Sequence, residues 1–338
     1  MRAEGRDPAL IPSTRVNRPE GELSVVVPVY GCEGCLVALH ERLVAALEPL
    51  VADFELILVD DRGPDDSWEV MRKLADQDDR VRALRLSRNF GQQAAITAGL
   101  AAARSPWTVV MDCDLQDPPE VIPRLWAKAH EGYDIVFGRR VTRSHAPFRL
   151  LGAKAYFLFL KTFLGVNMSG DFGAFTIISR RVRETVLAMP DADRHYVPML
   201  LWVGYEQTAV EYEHEERFAG QSSYSLVGLA KHAVAGVMFH TTSLLRWIIY
   251  AGLGLAVAGF MFALFLIASY FLIDDPYPGW TSLVVVILVT TGFLTLSTGI
   301  TGLYVGSVFR QVKGRPLYIL DTEYETAATT EGTSTPVS

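Results

Sequence analysis

Between Leu23 and about Arg180, short β-branched runs alternate with helix-length amphipathic segments. The runs are LSVVVPVY, FELILVDD, VRALRLS, TVVMDCD and DIVFGRR, and the segments cover 33–50, 66–75, 91–103 and 118–130. Strand–helix–strand repetition at this spacing predicts an α/β domain with a mostly parallel sheet flanked by helices on both faces. Sheets of this kind bind ligands beyond the carboxyl ends of their strands. Asp60–Asp61 and Asp112–Asp114 both fall at such ends, so the pattern assigns them to one crevice.

Further along, the pattern changes. Trp247–Ile273 and Trp280–Phe309 carry no charged residue. Each exceeds the roughly 20 apolar residues that cross a bilayer. Joined by DDPYPG, they predict a two-helix transmembrane hairpin over 247–309. Lys231, Arg246, Arg310, Lys313 and Arg315 flank its outer ends and the short loop has no basic residue. The basic bias therefore predicts that the large domain and the carboxyl terminus are both cytoplasmic. Pro147–Gly165 and 225–246 are apolar with scattered basic residues, the pattern of juxtamembrane amphipathic helices at headgroup level. Docking against the soluble domain is the alternative for the first of them. Gly302-x-x-x-Gly306 offers a close helix contact. The run GLGLAVAG resembles a dinucleotide fingerprint, but it lies inside an apolar span with no preceding strand.

The expected layout is a disordered, Pro-broken 1–22 without a signal-peptide h-region, an α/β domain at 23–224, a juxtamembrane helix at 225–246, the hairpin at 247–309 and a cytoplasmic tail at 310–338, disordered after about 321. A net charge of −7, with Asp321, Glu323, Glu325 and Glu331 in the tail, argues against a nucleic-acid surface. Three cysteines cannot make a disulfide framework, and Cys32-x-x-Cys35 lacks two further ligands for zinc. The pair reads as ordinary thiols at a helix start in a reducing compartment, with a redox role as the alternative. There is no Walker loop, which excludes a P-loop NTPase.

The chemistry concentrates in VVMDCDLQDPPE, 109–120. Asp117, Pro118 and Glu120 read as a helix start: N-cap, first position and third position. That leaves Asp112 and Asp114, one residue apart. Alternation along a strand sends both side chains to one face, close enough to share a cation. Hard divalent ions such as Mg²⁺ or Mn²⁺ take a carboxylate or two plus substrate phosphates. A metal-bridged diphosphate is the natural reading, with Gln116 as a third oxygen ligand or an outer partner. Solvated loop carboxylates are the bland alternative.

The order SVVVPVY, VDDRGPDDS, RNFGQQAAITAGL and DCDLQDPPE resembles family 2 glycosyltransferases of the GT-A fold. With GDFGAFTIISR, RHYVPMLLWVGY, ERFAGQSSYS and the hairpin, residues 23–320 resemble the polyprenyl-phosphate glycosyltransferases. That group includes dolichyl-phosphate mannose synthases and bacterial undecaprenyl-phosphate glucosyl- and aminoarabinosyltransferases. The resemblance implies a metal-dependent inverting enzyme of the bacterial inner membrane, multi-pass and homo-oligomeric, with a tetramer as the family precedent. It implies a UDP- or GDP-sugar donor, a polyprenyl phosphate acceptor and Mg²⁺ or Mn²⁺ as cofactor. Pro28, Tyr30 and Asp61 match positions that hold the base and ribose, with Asn89 and Gly91 beside them. Asp112, Asp114 and Gln116 match the metal and diphosphate site, and Asp171 an acidic position facing sugar and acceptor. Arg217, Gly220, Ser222 and Tyr224 match a loop that grips the acceptor phosphate.

A lipid monophosphate carries roughly −1.5 to −2 charge at neutral pH and is already a nucleophile. It needs cations more than a base, and Arg217, Arg139, Arg140 and Lys231 are the candidates. Asp171 is then expected to position the reactants or assist weakly. Two positions depart from the family pattern: Gly173 stands where Arg is frequent, and Ser223 where Lys is frequent. The first suggests a different donor sugar. A processive polysaccharide synthase would bring a Q-x-x-R-W motif, but Leu245-Arg246-Trp247 has Thr242 or Ser243 where Gln belongs. A non-catalytic scaffold or translocation partner for a lipid-linked sugar is the third reading, although neither span holds an ionisable residue.

Overall fold

A computed structural model describes residues 21–141, 172–214, 243–272 and 279–325. The chain divides into two units: 1–145 with 169–223 and 315–338, and 146–168 with 224–314. The first is built on eight strands: β1 (Leu23–Val29), β2 (Phe54–Asp60), β3 (Val81–Leu86), β4 (Trp107–Val110), β5 (Ile135–Val141), β6 (Phe172–Ser179), β7 (Gln207–Glu213) and β8 (Leu320–Tyr324). They form one sheet in the order β7-β5-β6-β4-β1-β2-β3-β8. The central β4-β1-β2-β3 pairings are parallel, as is β5 with β7. β6 runs antiparallel between β4 and β5, and β8 runs antiparallel to β3.

All seven residues of β1 are buried, as expected of a central parallel strand covered on both faces. Alternation decides what each face meets. Val25 and Val27 join Leu56, Leu58 and Val109 in a core closed by three helices: α1 (Leu36–Leu47), α2 (Ser67–Gln77) and α4 (Ile122–Ala129). Leu36, Leu39, Leu43 and Leu47 supply the buried stripe of α1 at helical spacing. Val26 points the other way, against α3 (Gln92–Ala102). Here a Cβ on Gly99 would lie 2.2 Å from Val26 Cγ1, so glycine is what lets α3 sit on β1. The four segments expected to be helical are α1 to α4. Two more follow, α5 (Arg180–Ala188) and α6 (Tyr196–Trp202).

The carboxyl-terminal tail corrects one expectation. Instead of becoming disordered after about 321, it adds β8 to the edge of the sheet. Asp321, Glu323 and Glu325 are ion-pair partners of the domain. Arg82, 5% exposed, lies between Glu55 (2.9 Å) and Glu323 (2.7 Å) with Glu325 at 3.6 Å. Arg62 meets Asp321 at 3.1 Å, and the Tyr324 hydroxyl donates to Asp76 at 2.6 Å.

In the second unit the described residues form two long helices, α7 (Ser243–Leu272) and α8 (Trp280–Val312). They touch where a Cβ on Gly252 would lie 3.3 Å from the Phe293 ring. Among the described residues one stretch, Val289–Val312, is long and apolar enough to cross a membrane, and Tyr250–Phe262 is a shorter apolar stretch. The segments 147–165 and 225–242 and the loop 273–278 lie outside the described residues.

Candidate active site at the strand ends

β1, β2 and β4 are parallel neighbours, so the segments that leave their carboxyl ends meet on one side of the sheet. After β2 the chain places two carboxylates with different tasks. Asp60 accepts from the Gly63 N–H at 3.0 Å and lies 3.0 Å from Arg85 Nε, so it is the turn residue. Asp61, 3% exposed, accepts from the Phe90 and Gly91 N–H groups at 2.7 and 2.8 Å. Burial pushes its carboxyl up from the usual range and these two bonds oppose that rise. Asp61 therefore ties the end of β2 to the Asn89–Gly91 loop, where Gly91 has φ 96°. Asn89 is exposed, Tyr30 is half exposed just beyond β1, and Pro28 lies in β1 opposite Val59. The expected nucleotide residues thus share this end of the sheet.

The DCD loop follows β4. The Gln116 N–H donates to Asp114 Oδ1 at 3.2 Å, closing a turn on the side chain of Asp114. Between them Leu115 is buried with φ 61°, a left-handed conformation that costs a non-glycine residue on the order of 1 kcal/mol or more. Asp112 accepts from Gln92 Nε2 at 2.6 Å. Its carboxyl is pushed up to about 6, first by burial and then by the charges of Asp117 and Asp114. Arg140 and Gln92 oppose the rise. Among the described residues, the carboxylates of Asp112, Asp114 and Asp117 are set against the guanidinium of Arg140, and the site's donors are oxygens. A hard divalent cation fits such a set. Among the described residues no three His, Cys, Asp or Glu side chains form a ready metal cage. Substrate phosphates would have to complete the coordination.

One pH dependence follows. If Asp112 is a ligand, a proton competes with the cation for it below about pH 6, so Mn²⁺ affinity should fall about fivefold between pH 6 and pH 5 and flatten above pH 7. Electron paramagnetic resonance titration of free Mn²⁺ at four pH values measures this. A flat profile from pH 5 to 8 would rule out a ligand carboxyl held near 6 at this position.

Asp117 departs from its expected role. Pro118, not Asp117, precedes the short 3₁₀ turn Pro119–Val121 that leads into α4, and Asp117 makes no helix cap. It is fully buried and faces the DCD loop's other neighbours instead. The Tyr212 hydroxyl donates to Oδ1, Arg140 Nη2 donates to Oδ2 at 3.3 Å, and His214 Nδ1 lies 3.5 Å from Oδ1. Successive strand residues point to opposite faces. Arg139 therefore turns away from this cluster, toward Glu211 at 3.6 Å and the Phe172 ring. Of the two adjacent arginines only Arg140 reaches the DCD loop. Asp171, Arg217, Ser222 and Lys231 lie outside the described residues.

Sequence reasoning assigned no role to Gln92 or Tyr212, and it read His214, between Glu213 and Glu215, as part of a strand with an exposed polar face rather than as a metal ligand. Gln92 could have been suspected from its place at the start of α3, beside Gly91. Tyr212 lies on β7 and His214 just beyond its end, and nothing local signals their partner Asp117, 95 residues before Tyr212. Tyr196 packs in the interior, buried with its hydroxyl 2.7 Å from Thr176 Oγ1, while its N–H donates to Gln93. Cys32 Sγ donates to the Cys113 carbonyl at 3.3 Å and Cys35 begins α1, which suits ordinary thiols.

Comparison with known proteins gives this geometry its family. The model described as "Glycosyl transferase family 2" matches residues 24–187. An uncharacterized glycosyltransferase of Bacillus subtilis, YkcC, is 33% identical over 304 residues, covering 90% of this chain and 94% of that one. The undecaprenyl-phosphate 4-deoxy-4-formamido-L-arabinose transferase of Yersinia pestis is 33% identical over 310 residues, covering 90% and 94%. Among solved structures, glucosyl-3-phosphoglycerate synthase from Mycobacterium tuberculosis superposes with a TM-score of 0.47 at 20% identity, covering 67% of this chain and 79% of that one. The α/β unit with its DCD loop is a GT-A glycosyltransferase domain, and the chain belongs to glycosyltransferase family 2.

Proposed function

We propose that this glycosyltransferase moves a sugar, with inversion, from a UDP- or GDP-sugar to polyprenyl phosphate, undecaprenyl phosphate being the acceptor, in a bacterial inner membrane. The observation that carries the reading is the pairing at one strand end of a carboxylate loop suited to a divalent ion with a buried-side guanidinium, Arg140. The name of the Yersinia pestis relative points to the same acceptor class. α7 and α8, read as two spans with the α/β unit cytoplasmic, would keep the site at the inner leaflet. Association of copies through the glycine faces of these helices belongs to the same proposal.

Asp112, Asp114 and Gln116 would hold Mg²⁺ or Mn²⁺. When bound, that ion supplies positive charge to the departing nucleoside diphosphate. Pro28 and Tyr30 line the nucleotide side, and Asp61 fixes the Asn89–Gly91 loop against it by two backbone bonds. Arg140 offers a fixed cation to a phosphate entering beside Asp112. Arg217, Ser222 and Lys231 would take the acceptor phosphate as it arrives from the membrane, and Asp171 would orient it against the sugar. The phosphate is itself the nucleophile, so Asp171 need not remove a proton. Arg139, ion-paired with Glu211, falls out of the acceptor set.

The test is a mass-spectrometric product assay on the purified full chain in detergent, with undecaprenyl phosphate, Mn²⁺ and a panel of UDP- and GDP-sugars. The expected product is the lipid carrying one added sugar, lost on adding EDTA. Metal-dependent nucleotide binding with no lipid product across the panel would overturn the acceptor assignment.

A further inference from the structure

Arg140 does not sit freely beside the metal loop. Its guanidinium lies across the backbone of Gly173 on β6, where an added Cβ would stand 2.7 Å from Nη2, 3.0 Å from Cζ and 3.2 Å from Nε. Nε donates to the Tyr212 hydroxyl at 3.2 Å, which in turn donates to Asp117. Nη2 donates to Asp117 at 3.3 Å and stops 4.0 Å from Asp112. The same nitrogen therefore has two carboxylates within reach, and it is hydrogen-bonded to the one that is no metal ligand.

We infer that Asp117 and Tyr212 are positioning residues that keep Arg140 off Asp112, leaving that carboxylate for the divalent ion, and that glycine at 173 is required for the guanidinium to reach them. The inference rests on the metal reading of Asp112 and Asp114 given above. Its physical basis is the contrast between the two acids. Asp117 is sealed from water, and among the described residues it faces the Arg140 guanidinium and the Tyr212 hydroxyl, with the His214 ring 3.5 Å away, so it holds the guanidinium strongly. Asp112 lies farther from the same nitrogen, 4.0 Å against 3.3 Å, and its burial is only partial, with 29% of its side chain exposed, so its pull is weaker. Neutralising Asp117 removes the stronger claim, and the nearest remaining anion is Asp112. An arginine on Asp112 competes directly with a metal.

The test measures Mn²⁺ binding to the purified full chain by electron paramagnetic resonance, without nucleotide or lipid. Asp117→Asn keeps the shape of the side chain and is expected to weaken Mn²⁺ binding about tenfold, with Arg140→Gln in the same chain restoring it to within about threefold. Arg140→Gln alone should leave affinity equal or somewhat higher. Gly173→Ala provides a second route, because only the end of a flexible side chain has to move. It should give the same loss, cancelled in the same way by Arg140→Gln. If either loss persists unchanged when Arg140 is replaced, Arg140 is not the competitor and the inference falls while the metal site stands. If the unsubstituted chain binds no Mn²⁺, the metal reading fails and the inference with it.

Discussion

Asp114→Ala is expected to lower sugar transfer about a thousandfold, equivalent to ~4 kcal/mol of transition-state stabilisation. Two losses combine in this one substitution. The carboxylate is a proposed ligand of the ion that stabilises the departing diphosphate, and it also accepts the Gln116 N–H that closes the DCD turn. Asp114→Asn separates them, since an amide oxygen can accept the same bond while the charge is gone. The asparagine chain should keep its thermal stability and still lose about a hundredfold in kcat. Leu115 raises the stakes for the alanine chain. Its left-handed backbone persists only because the surrounding contacts fix it, and the Asp114 turn is one of them. Initial rates at saturating Mn²⁺, alongside Mn²⁺ titration, measure both effects. An alanine variant within tenfold of the unsubstituted rate would remove Asp114 from the catalytic set.

Deleting the chain from Leu320 onward is expected to lower Tm by about 10 °C and to promote aggregation in detergent. The deletion strips β8 from β3 and takes Glu323 and Glu325 from Arg82. Removing partners from a buried charge costs about 3–5 kcal/mol, and each kcal/mol moves Tm by about 2–4 °C in a domain of this size. The uncovered β3 then presents unpaired backbone groups, which template association. Glu323→Gln, which keeps a hydrogen-bond acceptor for Arg82 Nη2, should cost far less. Unchanged melting of the truncated chain would show that β8 is an ornament of the sheet rather than part of it.

How far these features could be read from the amino acids depends on the distance over which their causes act. β1 to β5 and α1 to α4 follow from periodicity, because burial on one or both faces imposes a repeat that any short window reveals. The placement of Asp61 and the DCD loop followed from the rule about strand ends. β6 was legible as a motif, GDFGAFTIISR, but its antiparallel course between β4 and β5 is a fact of topology that no local pattern encodes. β8 was misread for a related reason. Judged alone, LDTEY is an acidic stretch with two apolar residues, and its stability comes from Arg82 and β3 far away in sequence. Asp117 shows the limit most clearly. Asp-Pro-Pro-Glu is a sound helix-start pattern, yet burial beside Arg140 and Tyr212 outweighed the gain of a cap. Arg139 and Arg140 were distinguishable only once β5 had a defined inner face.

β8 also sets an order of events. Arg82 and Glu323 are 241 residues apart, and both long apolar helices are synthesised between them. Contacts this distant in sequence form late, since the chain joining them must first be brought to closure. The central parallel strands can therefore collapse early, with β3 exposed as a temporary edge. The sheet is complete only when the last-made strand docks. During that interval any other copy of the same acidic strand at high local concentration is a competent substitute, so assembly speed and the density of nascent chains, rather than native stability, govern whether each domain is closed by its own tail.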